Sequence, residues 1–308
     1  MMRSWKMRLA LLMLALFPAR MALPQPALGP SGSEGAPFRE QAWLVPSPEA
    51  GVAAHAVLYR PPGDGPFRLA VIAHASTENV LRRAQTPQPE YRALAEQLVA
   101  RGFAVLVPER LGHGATRGSY LEDQGGCDEA DYARSGRATA DQIAVALQFL
   151  RGQPFILKEP AAVIGHSAGG WGALALAGED PKIVSAIIVF AAGRGGHAND
   201  VPGKLCAPHT LMSAAKAFGA GARVPVTWLV AANDSYFPPA FSDQLAAAFR
   251  AGGGKVELKT LPASGSEGHW LAETESGVKL AAAELDRALG IAQGNALGFG
   301  GQKPVRKR

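Results

Sequence analysis

The stretch Val163-Ile164-Gly165-His166-Ser167-Ala168-Gly169-Gly170 decides how this chain is read. Upstream of it, Pro160-Ala161-Ala162-Val163-Ile164 reads as a short buried strand. Downstream, Trp171-Gly172-Ala173-Leu174-Ala175-Leu176-Ala177 reads as a helix with a small-residue face. The Gly-x-Ser-x-Gly spacing between them predicts a tight strand-to-helix turn that lifts one hydroxyl above a sheet. The glycines are there because a side chain at either position would crowd the turn. The helix that follows points its positive end at Ser167, which favours negative charge there.

Outward from this turn, apolar runs of strand length alternate with segments of helical period. Ala42–Val45 and His55–Tyr59 are early strands, and the Pro61–Gly65 cluster is a turn. Leu69–Ala73, Ala104–Val107, Ser185–Phe190, Val224–Ala231 and Val256–Leu261 are further strands. Helices are expected over Tyr91–Arg101, Arg134–Arg151, His209–Ala222, Ala240–Ala251 and Gly277–Ile291. Buried strands that alternate with amphipathic helices imply an α/β domain with a mostly parallel sheet covered on both faces. The boundaries are a domain over 38–292, a Pro/Gly/Ser-rich linker over 23–37 and a glycine-rich, then basic, disordered tail over 293–308.

The chain has 308 residues and a formal charge of +5. That charge is misleading, because residues 1–22 and the tail each carry four basic side chains and no acidic one. Setting those eight aside leaves 23 of the 31 basic side chains against 26 acidic ones. A mildly acidic domain gives no argument for nucleic-acid binding. Arg3, Lys6 and Arg8, then the apolar run Leu9–Phe17, have the layout of a secretory signal, taken here as residues 1–22; the run is too short to span a membrane. The expected location is therefore secreted or periplasmic, with no stable membrane span after cleavage; the alternatives are cleavage at Ala27 and an uncleaved anchor. An even pair of cysteines in an exported chain favours a disulfide, here Cys127–Cys206. Both cysteines fall in loops after strands, so the bond would pin two loops on one face of the sheet.

In open α/β sheets functional groups collect at the carboxyl ends of the strands. Standing there are His74-Ala75-Ser76-Thr77, Glu109-Arg110-Leu111-Gly112-His113-Gly114, Ser167, Asn233-Asp234-Ser235, and Glu267-Gly268-His269-Trp270. A serine hydroxyl is a weak nucleophile until a base takes its proton. His269 is the candidate base and Asp234 the candidate acid that orients it. Asp200 and Glu267 are rival acids on less well placed loops. His74, His113, His166, His197 and His209 are rival histidines, none of which follows the last strand. Negative charge developing on a substrate oxygen needs two N–H donors. Ala168 supplies one, and the loop after Leu69–Ala73 supplies the other, Ser76 first and Thr77 next. No cluster at metal-ligand spacing and no phosphate-binding glycine loop is present, so no metal or cofactor is expected.

These motifs, with Asn233-Asp234-Ser235-Tyr236-Phe237 and Gly268-His269, resemble the α/β-hydrolase superfamily over roughly residues 40–290, in its dienelactone-hydrolase-like or prolyl-oligopeptidase-like bacterial branch. The resemblance implies the α/β-hydrolase fold and a Ser167–His269–Asp234 triad. Two departures stand out. Dienelactone hydrolases proper carry cysteine at the turn, so serine here does not imply that substrate. The family's His-Gly after the third strand is His-Ala here, at His74-Ala75. The activity this implies is hydrolysis of a small-molecule ester through an acyl-enzyme. A peptidase or amidase with the same triad is one alternative, and the chain shows no propeller-like region to gate peptides. A non-catalytic binding protein with the same fold is another.

Overall fold

The computed structural model describes residues 27–291. The expected signal, residues 1–22, and the basic tail, residues 293–308, lie outside the described residues. Nine strands form one sheet: β1 (Gly29–Pro30), β2 (Gln41–Pro46), β3 (Ala53–Tyr59), β4 (Arg68–Ala73), β5 (Phe103–Pro108), β6 (Ala161–His166), β7 (Val184–Phe190), β8 (Val226–Ala231) and β9 (Val256–Leu261). Their spatial order is β1-β2-β3-β5-β4-β6-β7-β8-β9. The first three strands run antiparallel to their neighbours, and from β5 to β9 every pairing is parallel.

Strands β2 to β9 are those the apolar runs predicted, within two residues at each end. The reason is visible in β4 and β6. Leu69, Val71, Ala73, Ala161 and Val163 enter one core, while Ala70, Ile72, Ala162 and Ile164 enter the other. A strand buried on both faces has no polar alternation and reads as a continuous apolar run. The first core lies under α3 (Tyr132–Arg151), α4 (Ala168–Ala175), α5 (Pro208–Gly221) and α6 (Pro239–Gly252). The second lies under α2 (Arg92–Val99) and α7 (Glu275–Ala288).

Two elements depart from the sequence reading. Gly29–Pro30 pairs with Leu44 and Trp43, so the segment read as a linker over 23–37 contributes the edge strand, and the sheet begins before residue 38. A short helix α1 (Val80–Ala84), capped by the Asn79 side chain, stands in what read as loop. Five residues carry too little periodicity to be seen in a sequence. Among the described residues no helix is long and apolar enough to cross a membrane.

Candidate active site

Ser167 sits between β6 and α4 with φ 53° and ψ −118°. A positive φ is costly for a residue with a Cβ, and persists only where the surroundings force it. Here they do. A Cβ on Gly165 would stand 2.5 Å from the Gly170 Cα, and one on Gly169 would overlap the Ala73 carbonyl. The backbone of α4 is thus pressed against the ends of β4 and β6, and only glycine permits it. Ser167 itself is buried, and its N–H donates to the Phe190 carbonyl at 2.9 Å.

The structure brings Ser167, His269 and Asp234 together. Ser167 Oγ lies 3.0 Å from His269 Nε2, and His269 Nδ1 lies 3.2 Å from Asp234 Oδ2. Asp234 Oδ1 accepts the Tyr236 and Phe237 N–H groups at 2.8 and 2.9 Å, which turns its other oxygen toward the ring. Burial holds the imidazole pKa of His269 below its ordinary value, opposed by the hydrogen bond to Asp234. The ring is therefore neutral near pH 7 and free to accept a proton at Nε2. The rival acids stand elsewhere. Glu267 accepts the N–H groups of His269 and Ser235 at 2.9 and 3.0 Å and caps the helical turn Gly268–Ala272. Asp200 is exposed, 3.8 Å from Arg82.

The candidate donors line one cavity with Ser167 and His269. It has a volume of about 570 Å³ and includes Ser76, Ala168, Gly193 and Trp270 in its wall. The Ala75 N–H is already committed, since it donates to Tyr91 Oη at 2.9 Å. Among the described residues the N–H groups of Ser76 and Ala168 have no partner within the chain. The Ser76 hydroxyl lies 2.7 Å from His113 Nε2, whose other nitrogen faces the carbonyls of Leu111 and Arg110 at 3.1 and 3.2 Å. That pattern makes His113 Nδ1 the protonated nitrogen, so Nε2 accepts from Ser76. Burial pushes the His113 pKa down to about 4. His74 is structural: its Nε2 accepts the Arg110 N–H at 3.1 Å, and burial holds its pKa well below the ordinary value.

Cys127 and Cys206 are joined, with Cα atoms 5.1 Å apart and a sequence separation of 79. Both line the cavity wall, so the bond ties the loop after β5 to the loop after β7 beside Ser167. Among the described residues no group of three or more His, Cys, Asp or Glu side chains could hold a metal ion.

Several residues in this region carried no assigned role in the sequence. Tyr236 stacks on His269 with ring centroids 4.2 Å apart, and His197 stacks on the far face of Tyr236 at 3.5 Å. Tyr91 and His166 link both sides of the site: Tyr91 Oη lies 2.8 Å from His166 Nδ1, and His166 Nε2 donates to the His269 carbonyl at 2.8 Å. Arg110, Glu122 and Arg194 form a buried ion cluster behind the cavity. The two guanidinium groups hold the Glu122 carboxyl well below its usual range against the pull of burial. Arg194 and Tyr236 stand just beyond strand ends, where a polar side chain is a signal. For Tyr91, 75 positions from its partner His166, no signal existed.

The nine-strand mixed sheet, its order and the serine at the strand-to-helix turn leave one assignment. The chain has the α/β-hydrolase fold. A family model described as "Serine aminopeptidase, S33" matches the chain over residues 88–219. No curated protein sequence matches the chain. Solved structures match its fold at low identity. One is a candidate dienelactone hydrolase from Klebsiella pneumoniae, with a TM-score of 0.53 and 16% identity, covering 82% of this chain and 98% of that one. Another is a cold-adapted esterase from an Arctic intertidal metagenomic library, with a TM-score of 0.56 and 17% identity, covering 85% and 99%. A third is the Pyrococcus horikoshii acylaminoacyl peptidase, with a TM-score of 0.58 and 13% identity, of which 44% is covered by 85% of this chain. At these identities the likeness shows the fold, and the family model matches less than half of the chain.

Proposed function

We propose that the protein hydrolyses carboxylic esters, with Ser167 as nucleophile, His269 as general base and Asp234 as the acid that orients it. The observation that carries the proposal is the unbroken relay from Ser167 Oγ through the His269 ring to Asp234, at 3.0 and 3.2 Å. In the first step His269 Nε2 takes the Ser167 proton while Oγ bonds to the substrate's carbonyl carbon. The N–H groups of Ala168 and Ser76 receive the charge that develops on the carbonyl oxygen. The ester C–O bond then breaks, and the proton on His269 passes to the leaving alcohol. Water repeats the sequence: it gives its proton to His269, attacks the acyl carbon, and releases the acid as Ser167 recovers its hydrogen.

Cleavage of an amide or short peptide is the second reading, favoured by the serine aminopeptidase description of the matched family model. The chemistry is shared, and the leaving group separates the two. The Cys127–Cys206 bond also supports export to an oxidising compartment, the location we propose. The test is turnover of p-nitrophenyl esters of graded chain length against the matching anilides, with fluorophosphonate labelling of Ser167. Labelling, ester turnover and a loss of about 10³-fold or more in Ser167→Ala are expected. An unlabelled Ser167, or a Ser167→Ala variant with wild-type rates, refutes the mechanism; faster anilide cleavage moves the reading to the amidase.

A further inference from the structure

The cavity beside Ser167 differs from an ordinary acyl-chain pocket. Among the described residues no Leu, Ile, Val or Met lines it. Ligand sites of its size are mostly walled by apolar side chains; here the apolar surface comes from alanine, cysteine and aromatic side chains, with no branched aliphatic one. Polar groups share this wall, and two of its side chains are incompletely paired. Gln124 and Arg194 both line the cavity, and each is only 3% exposed. Gln124 Oε1 and Arg194 Nε are buried, and neither has a hydrogen-bond partner. Buried polar atoms are almost always paired, so two orphans in one wall call for an explanation. One orphan is an acceptor and the other a donor.

The chemistry of the missing partner follows from that pair. A carboxylate only accepts and an ammonium only donates, so neither satisfies both. A hydroxyl donates once and accepts twice, and adjacent hydroxyls serve both atoms. Charge points the same way. The other groups of Arg194 are bound to Glu122 and, at 2.9 Å, to Glu78. Arg82, at the wall's outer part, faces Asp200 at 3.8 Å. The fixed charges of the wall are thus matched in sign, and leave no surplus for an ionic ligand. Trp270, 38% exposed, stands in the wall of this cavity and in that of a neighbouring groove of about 900 Å³. Its ring offers an apolar surface of the kind that packs on the C–H face of a sugar.

We propose that this cavity receives a neutral, hydroxyl-rich group, and that the substrate is a short-acyl ester of a saccharide or polyol. The proposal rests on the esterase reading and narrows it to a substrate class. A site that hydrogen-bonds substrate hydroxyls rejects the analogue that lacks them, because its own polar groups are then left unpaired.

The test uses a matched pair of acetates, methyl 6-O-acetylglucopyranoside and cyclohexylmethyl acetate, which share a six-membered ring and differ in the hydroxyls. The purified protein should show a kcat/KM at least about tenfold higher on the glucoside. Gln124→Met keeps the length of the side chain and removes its amide, and should cut that preference about tenfold. Asn199→Gly, on the exposed rim of the same wall, tolerates the positive φ of 58° there and provides a second variant should the first fail to fold. It too should lower the preference. Fluorophosphonate labelling of Ser167 is run on each protein to report an assembled nucleophile. Equal or greater activity on cyclohexylmethyl acetate in a labelled wild-type protein overturns the substrate class and leaves the esterase reading standing. So does an undiminished preference in labelled variants. Absence of labelling and of all ester turnover in the wild type overturns both.

Discussion

The two sides of Ser167 are held by different means. On the base side, Asp234 and His269 are fixed by backbone N–H groups of their own loops: Tyr236 and Phe237 hold the carboxylate, and Glu267 holds the His269 N–H. On the donor side, the Ala75–Ser76 segment is held by side chains from far along the chain. Tyr91 takes the Ala75 N–H, His113 takes the Ser76 hydroxyl, and Arg110 donates to the His74 carbonyl at 2.8 Å. A loop fixed by its own backbone carries its geometry wherever the loop goes. A loop fixed by distant side chains keeps its geometry only while the whole carboxyl-end face is assembled. The donor side is therefore the one that small changes should loosen.

The largest effect is expected on the base side. Asp234→Asn leaves the fold intact but favours the wrong imidazole tautomer, and should lower kcat by about 10³-fold or more. Glu267→Gln keeps most of the cap and should cost less than about tenfold. Steady-state kinetics on one activated ester ranks the two, and the opposite ranking would make Glu267 the acid. Gly169→Ala comes next. It sets a methyl group against the Ala73 and His74 carbonyls, where elbow and donor loop meet, and should cost about 3 kcal/mol in urea unfolding. A neutral result would show that the two sides are less tightly pressed than their spacing implies.

A change of pH probes chiefly the donor side, with His269 contributing in the same direction. His113 is neutral in the folded protein because burial lowers its pKa to about 4, whereas an unfolded histidine titrates near 6.5. The unfolded state binds the proton first, so this contribution to stability is complete above about pH 6.5 and is lost as pH falls toward about 4. His74, also lowered, acts in the same direction. From His113 alone, unfolding free energy should be about 2 kcal/mol lower at pH 5 than at pH 7. His113→Gln should flatten that slope, and an unchanged slope would place its origin elsewhere. A modest effect is expected for Tyr91→Phe, which removes the acceptor of the Ala75 N–H and the partner of His166 Nδ1. Looser positioning of the Ser76 donor should lower kcat about tenfold with KM little changed. Equal losses in KM and kcat would point to general damage instead.

The elbow was legible from a handful of letters because its causes are local: two glycines permit close approach, and an apolar run before them fills a two-sided strand. Asp234 and His269 were legible because each lies in the loop that follows a predicted strand, three residues past Ala231 and eight past Leu261. The edge strand Gly29–Pro30 was not, since two residues have no period, and its pairing with β2 is decided by what lies beside it. The amino-acid sequence by itself determined the alternating strands and helices, the turn at Ser167 and the chain order of serine, acid and histidine. Only the tertiary structure decided that Tyr91, His113 and His166 buttress the site, and that Gln124 and Arg194 leave unpaired atoms in its wall. Those relations join residues tens of positions apart through side-chain hydrogen bonds, and such bonds leave no periodicity or spacing behind.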